Sequence, residues 1–403
     1  MKFYLKTLGC KVNQYESQVI RERLLRQGYE ETLDMSAAQL CFVNTCTVTA
    51  KADRECREVL RRISKANSKA RIIAAGCYAV SGYDAIKAID GRIEVLDNAG
   101  KMELFYLNGE PDGISMFHDR TRAFIKVQDG CDNFCSYCRI PYVRGRSRSR
   151  NAESILEEAA GLVGKGYREI VLTGICLGDF SRQGGSCGLA CLIRRISGID
   201  GDFRVRLSSI ELADINDDIL NEISLSKKIC HHLHIPLQSG DDEILKKMNR
   251  RYTAGQFISR VASIRSRIPD IGITTDIIVG FPGEKEANFK NSIITMQAIK
   301  PSRTHVFTFS PRQGTKAFDM GQDISGREKK ERACVLKKAA EHFSREFNAG
   351  LCRKEQRILV EGRRDRATGM LCGYTDNYAR VLIDGNDDLM GHLVWRRCED
   401  WSY

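Results

Sequence analysis

The chain has 403 residues, 42% of them hydrophobic, and its 63 Lys and Arg against 52 Asp and Glu give a formal net charge of +11. This is enough for two or three domains with real cores, and the longest apolar runs, such as IIVGF at 277–281, fall far short of the ~20 residues that span a bilayer, which argues against a membrane protein. The N-terminus MKFYLKTLGCKVNQ has neither an apolar signal core nor a cleavage site, so the sixteen cysteines are expected in a reducing, cytoplasmic setting where metal ligation explains them better than disulfides, and the surplus of cations suggests a polyanionic partner.

In chain order, 2–7 (KFYLKT), 39–43, 71–75 and 93–96 read as short buried strands, with helical periodicity at 16–27 and 50–66 between them. This alternation predicts a parallel α/β sheet, in which ligands collect beyond the carboxyl ends of the strands. Cys10, Cys46 and Cys77 stand just after the first three strands, 36 and 31 residues apart, about one strand–helix unit each. Three loops on one edge would bring three thiols together as a metal site. From spacing alone, cysteines buried for packing are an open alternative.

Beyond a Gly- and Asp-containing connector at 108–120 the alternation resumes, with strands at 123–128, 169–173, 203–208, 231–236, 273–279 and 303–309 and a long amphipathic helix at 326–347. Six units predict an incomplete (β/α) barrel, whose chemistry sits at its carboxyl-terminal mouth. There, after the first strand, GCDNFCSYC places Cys131, Cys135 and Cys138 as CxxxCxxC. Three thiolates so close can hold three irons of a 4Fe-4S cluster and leave the fourth open to a small chelating molecule, whereas electron carriers use four cysteines and structural zinc sites are closed by four ligands. This is the radical SAM signature. Loops TGI at 173–175, SSIE at 208–211, QSG at 238–240 and GFPGE at 280–284 converge on the same mouth. Most remaining cysteines read as buried hydrophobes, the pair Cys187 and Cys191 included, and His231, His232 and His234 as residues of a buried strand.

The final segments RILVEG, GMLCGY, ARVLIDG and LMGHLVW are β-rich with Gly and Asp turns, which predicts a small antiparallel barrel of the OB-like kind. Arg363, Arg364, Arg366, Tyr374, Tyr378 and Arg380 mix cations with rings, as tracking an RNA backbone and stacking its bases require; a solvated charged face over core tyrosines is the alternative. The run RGRSRSR at 144–150, with Arg144, Arg146 and Arg150, offers phosphate contacts beside the cysteine loop, or else a solubilising loop or charge support for a cluster.

With these residues assembled, the chain resembles the methylthiotransferases, a radical SAM family, over essentially its whole length. The likeness rests on TLGCKVNQYES at 7–17, NTCTVTAKAD at 44–53, AAGCY at 74–78, GCDNFCSYCRIPYVRGRSRSR at 130–150, RLSSIE at 206–211, HIPLQSGDDEILKKMNRRYT at 234–253 and TTDIIVGFPGE at 274–284. It implies a flavodoxin-like domain at 1–110, a radical SAM core at 117–347 and a C-terminal RNA-binding TRAM domain at 348–403. It also implies two 4Fe-4S clusters, one on Cys131, Cys135 and Cys138 and an auxiliary one on Cys10, Cys46 and Cys77, with S-adenosyl-L-methionine (SAM) on the first. By motif position, Thr173, Gly174, Ser209, Glu211 and Gln238 are implied to line the SAM pocket.

GCKVN and NTCTVT stand where other branches of the family read GCQMN and NTCSVR, or GCPKN and NTCGF. They point to the branch that replaces the hydrogen on carbon-2 of N6-threonylcarbamoyladenosine, at tRNA position 37, with a methylthio group. An adenine C–H bond is neither acidic nor polar enough for a side chain to activate, which is why a cofactor must supply the difficult step. The implied partners are tRNA, a sulfur source and an electron donor. Alternative substrates are isopentenyladenosine in tRNA or a ribosomal-protein aspartate; an alternative of another class is a non-catalytic RNA-binding iron–sulfur redox sensor.

Overall fold

The computed structural model describes residues 1–105, 113–118, 120–181 and 187–397; residues 108–112 and 119 of the expected connector at 108–120, and the C-terminal end with Cys398, lie outside the described residues. The first sheet comprises β1 (Lys2–Thr7), β2 (Glu30–Glu31), β3 (Leu40–Thr45), β4 (Arg71–Gly76) and β5 (Glu94–Leu96), all parallel in the order β2-β1-β3-β4-β5. That is the flavodoxin order, with its switch point between β1 and β3. Every residue of β3 is buried because both faces are covered: Phe42 packs with Val19 and Ile20 of helix Lys11–Arg26, while Cys41 and Val43 pack with Leu60 and Ile63 of helix Ala50–Ala66. The first helix begins five residues earlier than its periodicity predicts. Its opening turns bury the polar Asn13, Glu16, Ser17 and Gln18, which hides the apolar stripe from a sequence pattern.

The chain then forms β6 (Ala123–Lys126), a short antiparallel ribbon of β7 (Gln128–Asp129) and β8 (Arg148–Ser149), and β9 (Glu169–Thr173), β10 (Arg204–Leu207), β11 (His232–His234), β12 (Gly272–Val279) and β13 (Arg303–Thr308). β6, β9 and β10 pair in parallel, as do β11, β12 and β13, and the bridges Val205 to Ile229 and Ser209 to His234 join the two halves. Six parallel strands in sequence order make the expected incomplete barrel, with helix Gly326–Gly350 packed along β12 and β13. No helix of the described residues is long and apolar enough to cross a membrane.

A third sheet follows: β14 (Glu355–Arg364), β15 (Leu371–Thr375), β16 (Arg380–Ile383) and β17 (Leu393–Arg397), antiparallel in the order β16-β15-β14-β17. It seats on the amino-terminal ends of the barrel strands, opposite the cysteine loops. Arg204 donates to the carbonyls of Arg357 and Tyr374, and Arg206 to those of Thr375 and Asp376, each at 2.8–3.0 Å. Both guanidinium groups also hold the fully buried Glu169. Gly272 is required here, since a Cβ would stand 2.1 Å from the Asn377 carbonyl oxygen.

Candidate active site

Each N-terminal cysteine sits at the carboxyl end of a strand. Cys10 precedes helix Lys11–Arg26 after β1, Cys46 follows β3, and Cys77 opens helix Cys77–Ser81 after β4. The three thiols are close enough for their charges to act on one another. Gly9, at φ +99°, lets the loops meet, because a Cβ there would lie 2.6 Å from Cys46 Sγ. Cys46 and Cys77 are buried and Cys10 is exposed. Burial pushes the Cys46 thiol up to about 12 and raises that of Cys77, so these sulfurs ionise only when a cation compensates them, as a coordinated metal does. Arg144 Nε donates to Cys77 Sγ at 3.1 Å. Cys41 and Cys56 are buried in the adjoining core, which Cys46 also joins.

Cys131, Cys135 and Cys138 lie on the loop between β7 and helix Ile140–Arg144. Gly130, at φ +73°, allows that loop to cross itself: a Cβ would stand 1.9 Å from the Arg146 carbonyl oxygen. N–H groups point at the sulfurs, with Asn133 N 3.4 Å from Cys131 Sγ and Arg250 NH1 3.4 Å from Cys135 Sγ. Burial raises the Cys138 thiol to about 12, and the charge of Cys77 is among its neighbours, so the two triads approach each other. A buried thiol from the next loop, Cys176, hydrogen-bonds Cys131 and lowers its pKa. Converging thiols with donors aimed at sulfur fit iron–sulfur ligation at both triads.

Between the loop that follows Cys46 and the Cys138 loop lies a cavity of roughly 200 Å³. Thr47 and Val48, just after Cys46, form one wall, Cys138 and Arg139 another, and Gln238, Asp276 and Phe307 reach it from the barrel. Asp276 accepts from His234 and His305 at 3.2 and 3.0 Å; these contacts hold its carboxyl below the usual range although burial opposes them. Of the residues expected around SAM, Gln238 lines this cavity, whereas Glu211 is ion-paired to Arg250 in a second cleft with Cys135. Ser209 bridges to His234, and Thr173 is buried at the end of β9 with Gly174 against Gln128. Of the five, Gln238 lines the first cleft and Glu211 the second, while Thr173, Gly174 and Ser209 line neither.

Three expected RNA contacts are corrected. Arg144 is enclosed by Glu16, Asp129, Asn13 and Cys77, and Arg150 is buried with Glu158 at 2.7 Å and Tyr15 at 2.9 Å, so neither faces a phosphate. Tyr378 is packed between His232, Tyr374 and the Arg206 guanidinium in the joint between barrel and third sheet. Arg146 remains three-quarters exposed, beside Asp132, and Arg363 is exposed. Arg364 and Arg380 lie at the surface in ion pairs with Asp387 and Asp365. Cys187 and Cys191, expected only to pack, are joined as a disulfide. Sequence reasoning missed Glu16, Arg139, Arg250, Asp276 and Arg312; of these, Glu16 had a signal, as a charge within the stripe Val12, Tyr15, Val19.

Residues 2–96 match the Uncharacterized protein family UPF0004 and residues 125–294 the Radical SAM superfamily. The chain is 40% identical over 404 residues to the threonylcarbamoyladenosine tRNA methylthiotransferase MtaB of Thermotoga maritima, spanning 95% of this chain and 91% of that one. It is 35% identical to the protein of the same name from Bacillus subtilis, across 96% and 91% of the two chains. It is 34% identical to the tRNA-2-methylthio-N(6)-dimethylallyladenosine synthase of Geobacter metallireducens, across 97% and 94%. Among solved structures, the radical S-adenosylmethionine methyltransferase TsrM of Kitasatospora setae superposes with a TM-score of 0.55 at 14% identity, over 79% of this chain and 77% of that one, a likeness of fold.

Proposed function

Because the chain belongs to the radical SAM methylthiotransferases, we propose that it attaches a methylthio group to carbon-2 of N6-threonylcarbamoyladenosine at tRNA position 37. The observation that supports this most is that Cys138 and the loop following Cys46 line one cavity, with Cys77 close enough to act on the Cys138 thiol. Cys131, Cys135 and Cys138 hold a 4Fe-4S cluster that takes SAM, and Cys10, Cys46 and Cys77 hold the auxiliary cluster. When bound, these groups supply the radical chemistry and the sulfur that no side chain provides.

The chain's own residues position and shield. Phe307 and Ile278 give the base apolar surface in the cavity, while Gln238 and Asp276 present polar atoms to its edge. Glu16 draws Arg144, Lys101 and Lys126 into one buried network, which fixes the auxiliary triad against the barrel. Gln238 and Thr173, with Gly174 and Ser209, serve SAM, and Glu211 orients Arg250 toward Cys135. Residues 1–110, 117–347 and 348–403 divide the work into auxiliary-cluster, radical SAM and TRAM-type RNA-binding domains. Arg146, Arg363, Arg364 and Arg380 offer the RNA its phosphate contacts in a cytoplasmic enzyme served by a separate sulfur source and electron donor.

Nucleoside mass spectrometry of tRNA from a strain lacking the gene tests this. The methylthio form of threonylcarbamoyladenosine disappears and its unmethylthiolated precursor accumulates. Loss of the methylthio mark from an isopentenyl-type adenosine instead, with the threonylcarbamoyl form untouched, would overturn the substrate assignment.

A further inference from the structure

One cation in the cavity wall has no role in holding the fold. Arg139 directly follows Cys138 and is half-buried in the wall of the cavity beside it. Its side chain lies near Arg312, Asp53 and Tyr78, yet among the described residues the guanidinium has no hydrogen bond, ion pair or ring contact. Its neighbours are already committed. Arg312 holds Asp53 at 2.6 Å and also donates to the Thr47 hydroxyl, and Tyr78 accepts from Arg57 at 2.6 Å. The other guanidinium groups around the two triads are matched: Arg144 to Glu16 and Asp129, and Arg250 to Glu211. This wall therefore has one guanidinium in excess, partly withdrawn from water, over a cavity floored by Ile278, Phe307 and Phe309.

A half-buried guanidinium without a partner is a recognition element for a planar oxyanion, which it grips with two parallel hydrogen bonds. Building on the function proposed above, we propose that Arg139 determines specificity by binding the threonyl carboxylate of the substrate's N6-threonylcarbamoyl group. An N6-dimethylallyl group has no anion, so it would occupy the same space and leave the cation unpaired and dehydrated, which disfavours it. A backbone phosphate of the tRNA presents the same oxyanion chemistry, and the test separates the two sources.

Anaerobically reconstituted enzyme without reductant is titrated with fluorescent anticodon stem-loops bearing, at position 37, threonylcarbamoyladenosine, its carboxyl methyl ester, N6-(dimethylallyl)adenosine or plain adenosine. The expected result is that the wild type binds the acid about tenfold more tightly than the ester, that Arg139→Gln abolishes this preference without weakening binding of the ester or plain adenosine, and that Arg139→Lys restores part of it. An equal loss on all four stem-loops would assign Arg139 to a phosphate, and an unchanged preference in Arg139→Gln would leave it idle; either overturns the inference while the function stands. A wild type that prefers the dimethylallyl stem-loop over the acid overturns the substrate reading itself. Iron content accompanies each titration, and if Arg139→Gln binds less iron, the wild-type comparison of acid with ester decides, equal affinity refuting the carboxylate contact.

Discussion

Replacing Arg144 with methionine removes the cation around which the N-terminal sheet and the barrel are joined. The side chain has no exposed surface, and its NH1 lies 3.0 Å from Glu16 and 2.9 Å from Asp129. Burial alone would favour protonated Glu16, but Arg144, Lys101 and Lys126 outweigh it and hold the carboxyl well below the usual range. In Arg144→Met, Glu16 keeps Lys101 at 2.6 Å and Lys126 at 3.0 Å, whereas Asp129 keeps Lys126 at 3.2 Å and the half-exposed Arg148 at 3.7 Å. Breaking a buried pair costs about 3–5 kcal/mol, and the remaining lysines place this loss near the lower end, about 3 kcal/mol. Urea unfolding of the cluster-free protein, followed by circular dichroism, reads it as a lower midpoint at unchanged slope. Glu16→Gln added to Arg144→Met should deepen the loss, because it leaves the buried Lys101 without its carboxylate, but by less than the sum of the two single losses, with a coupling of about 0.5–3 kcal/mol. Glu16 and Asp129 both titrate lower in the folded state, so their contribution is complete above the unfolded carboxylate values near ~4 and is lost as pH falls through the folded ones. Losing Arg144 moves that loss to higher pH. A single-variant loss below about 1 kcal/mol with additive double substitution would refute the argument.

Glu169→Gln should destabilise the joint between barrel and third sheet by about 3 kcal/mol or more, because three guanidinium groups converge on this fully buried carboxylate; thermal melts between neutral and acid pH should also show a flatter pH dependence than wild type. Gly9→Ala forces a side chain into Cys46 Sγ from a left-handed backbone, and iron analysis should show the auxiliary site depleted while the CxxxCxxC site stays filled. Arg146→Ala and Arg363→Ala should each reduce the slope of log affinity for tRNA against log salt by about one unit, uniformly across tRNA sequences.

The strands were legible because parallel strands covered on both faces are short apolar runs: LCFVNT and EIVLT need no alternation to be recognised. The proposed cluster ligands had two different signals. CxxxCxxC is local, while for Cys10, Cys46 and Cys77 spacing left packing open and the family resemblance carried the expectation; the thiols stand after three strands that are neighbours in the sheet. The arginines were not legible. In RGRSRSR the charge run is visible, but Arg144 and Arg150 turn inward to Glu16 and Glu158, partners on helices distant in sequence, while Arg146 turns outward. Tyr378 likewise follows a tight turn at φ +68° that inserts it against Arg206 and His232 rather than presenting it to solvent. Arg139 carries no signal in the sequence, because its surroundings are set by Asp53, Tyr78 and Arg312, all distant along the chain.

The account stands or falls on two clusters, each held by three cysteines of this chain. Iron and sulfide are measured on the reconstituted wild type, on Cys10→Ala/Cys46→Ala/Cys77→Ala and on Cys131→Ala/Cys135→Ala/Cys138→Ala. The expected result is about eight irons per wild-type chain and about four in each triple variant. Unchanged iron in the first variant would contradict the auxiliary cluster and, with it, the sulfur-inserting role of the N-terminal domain.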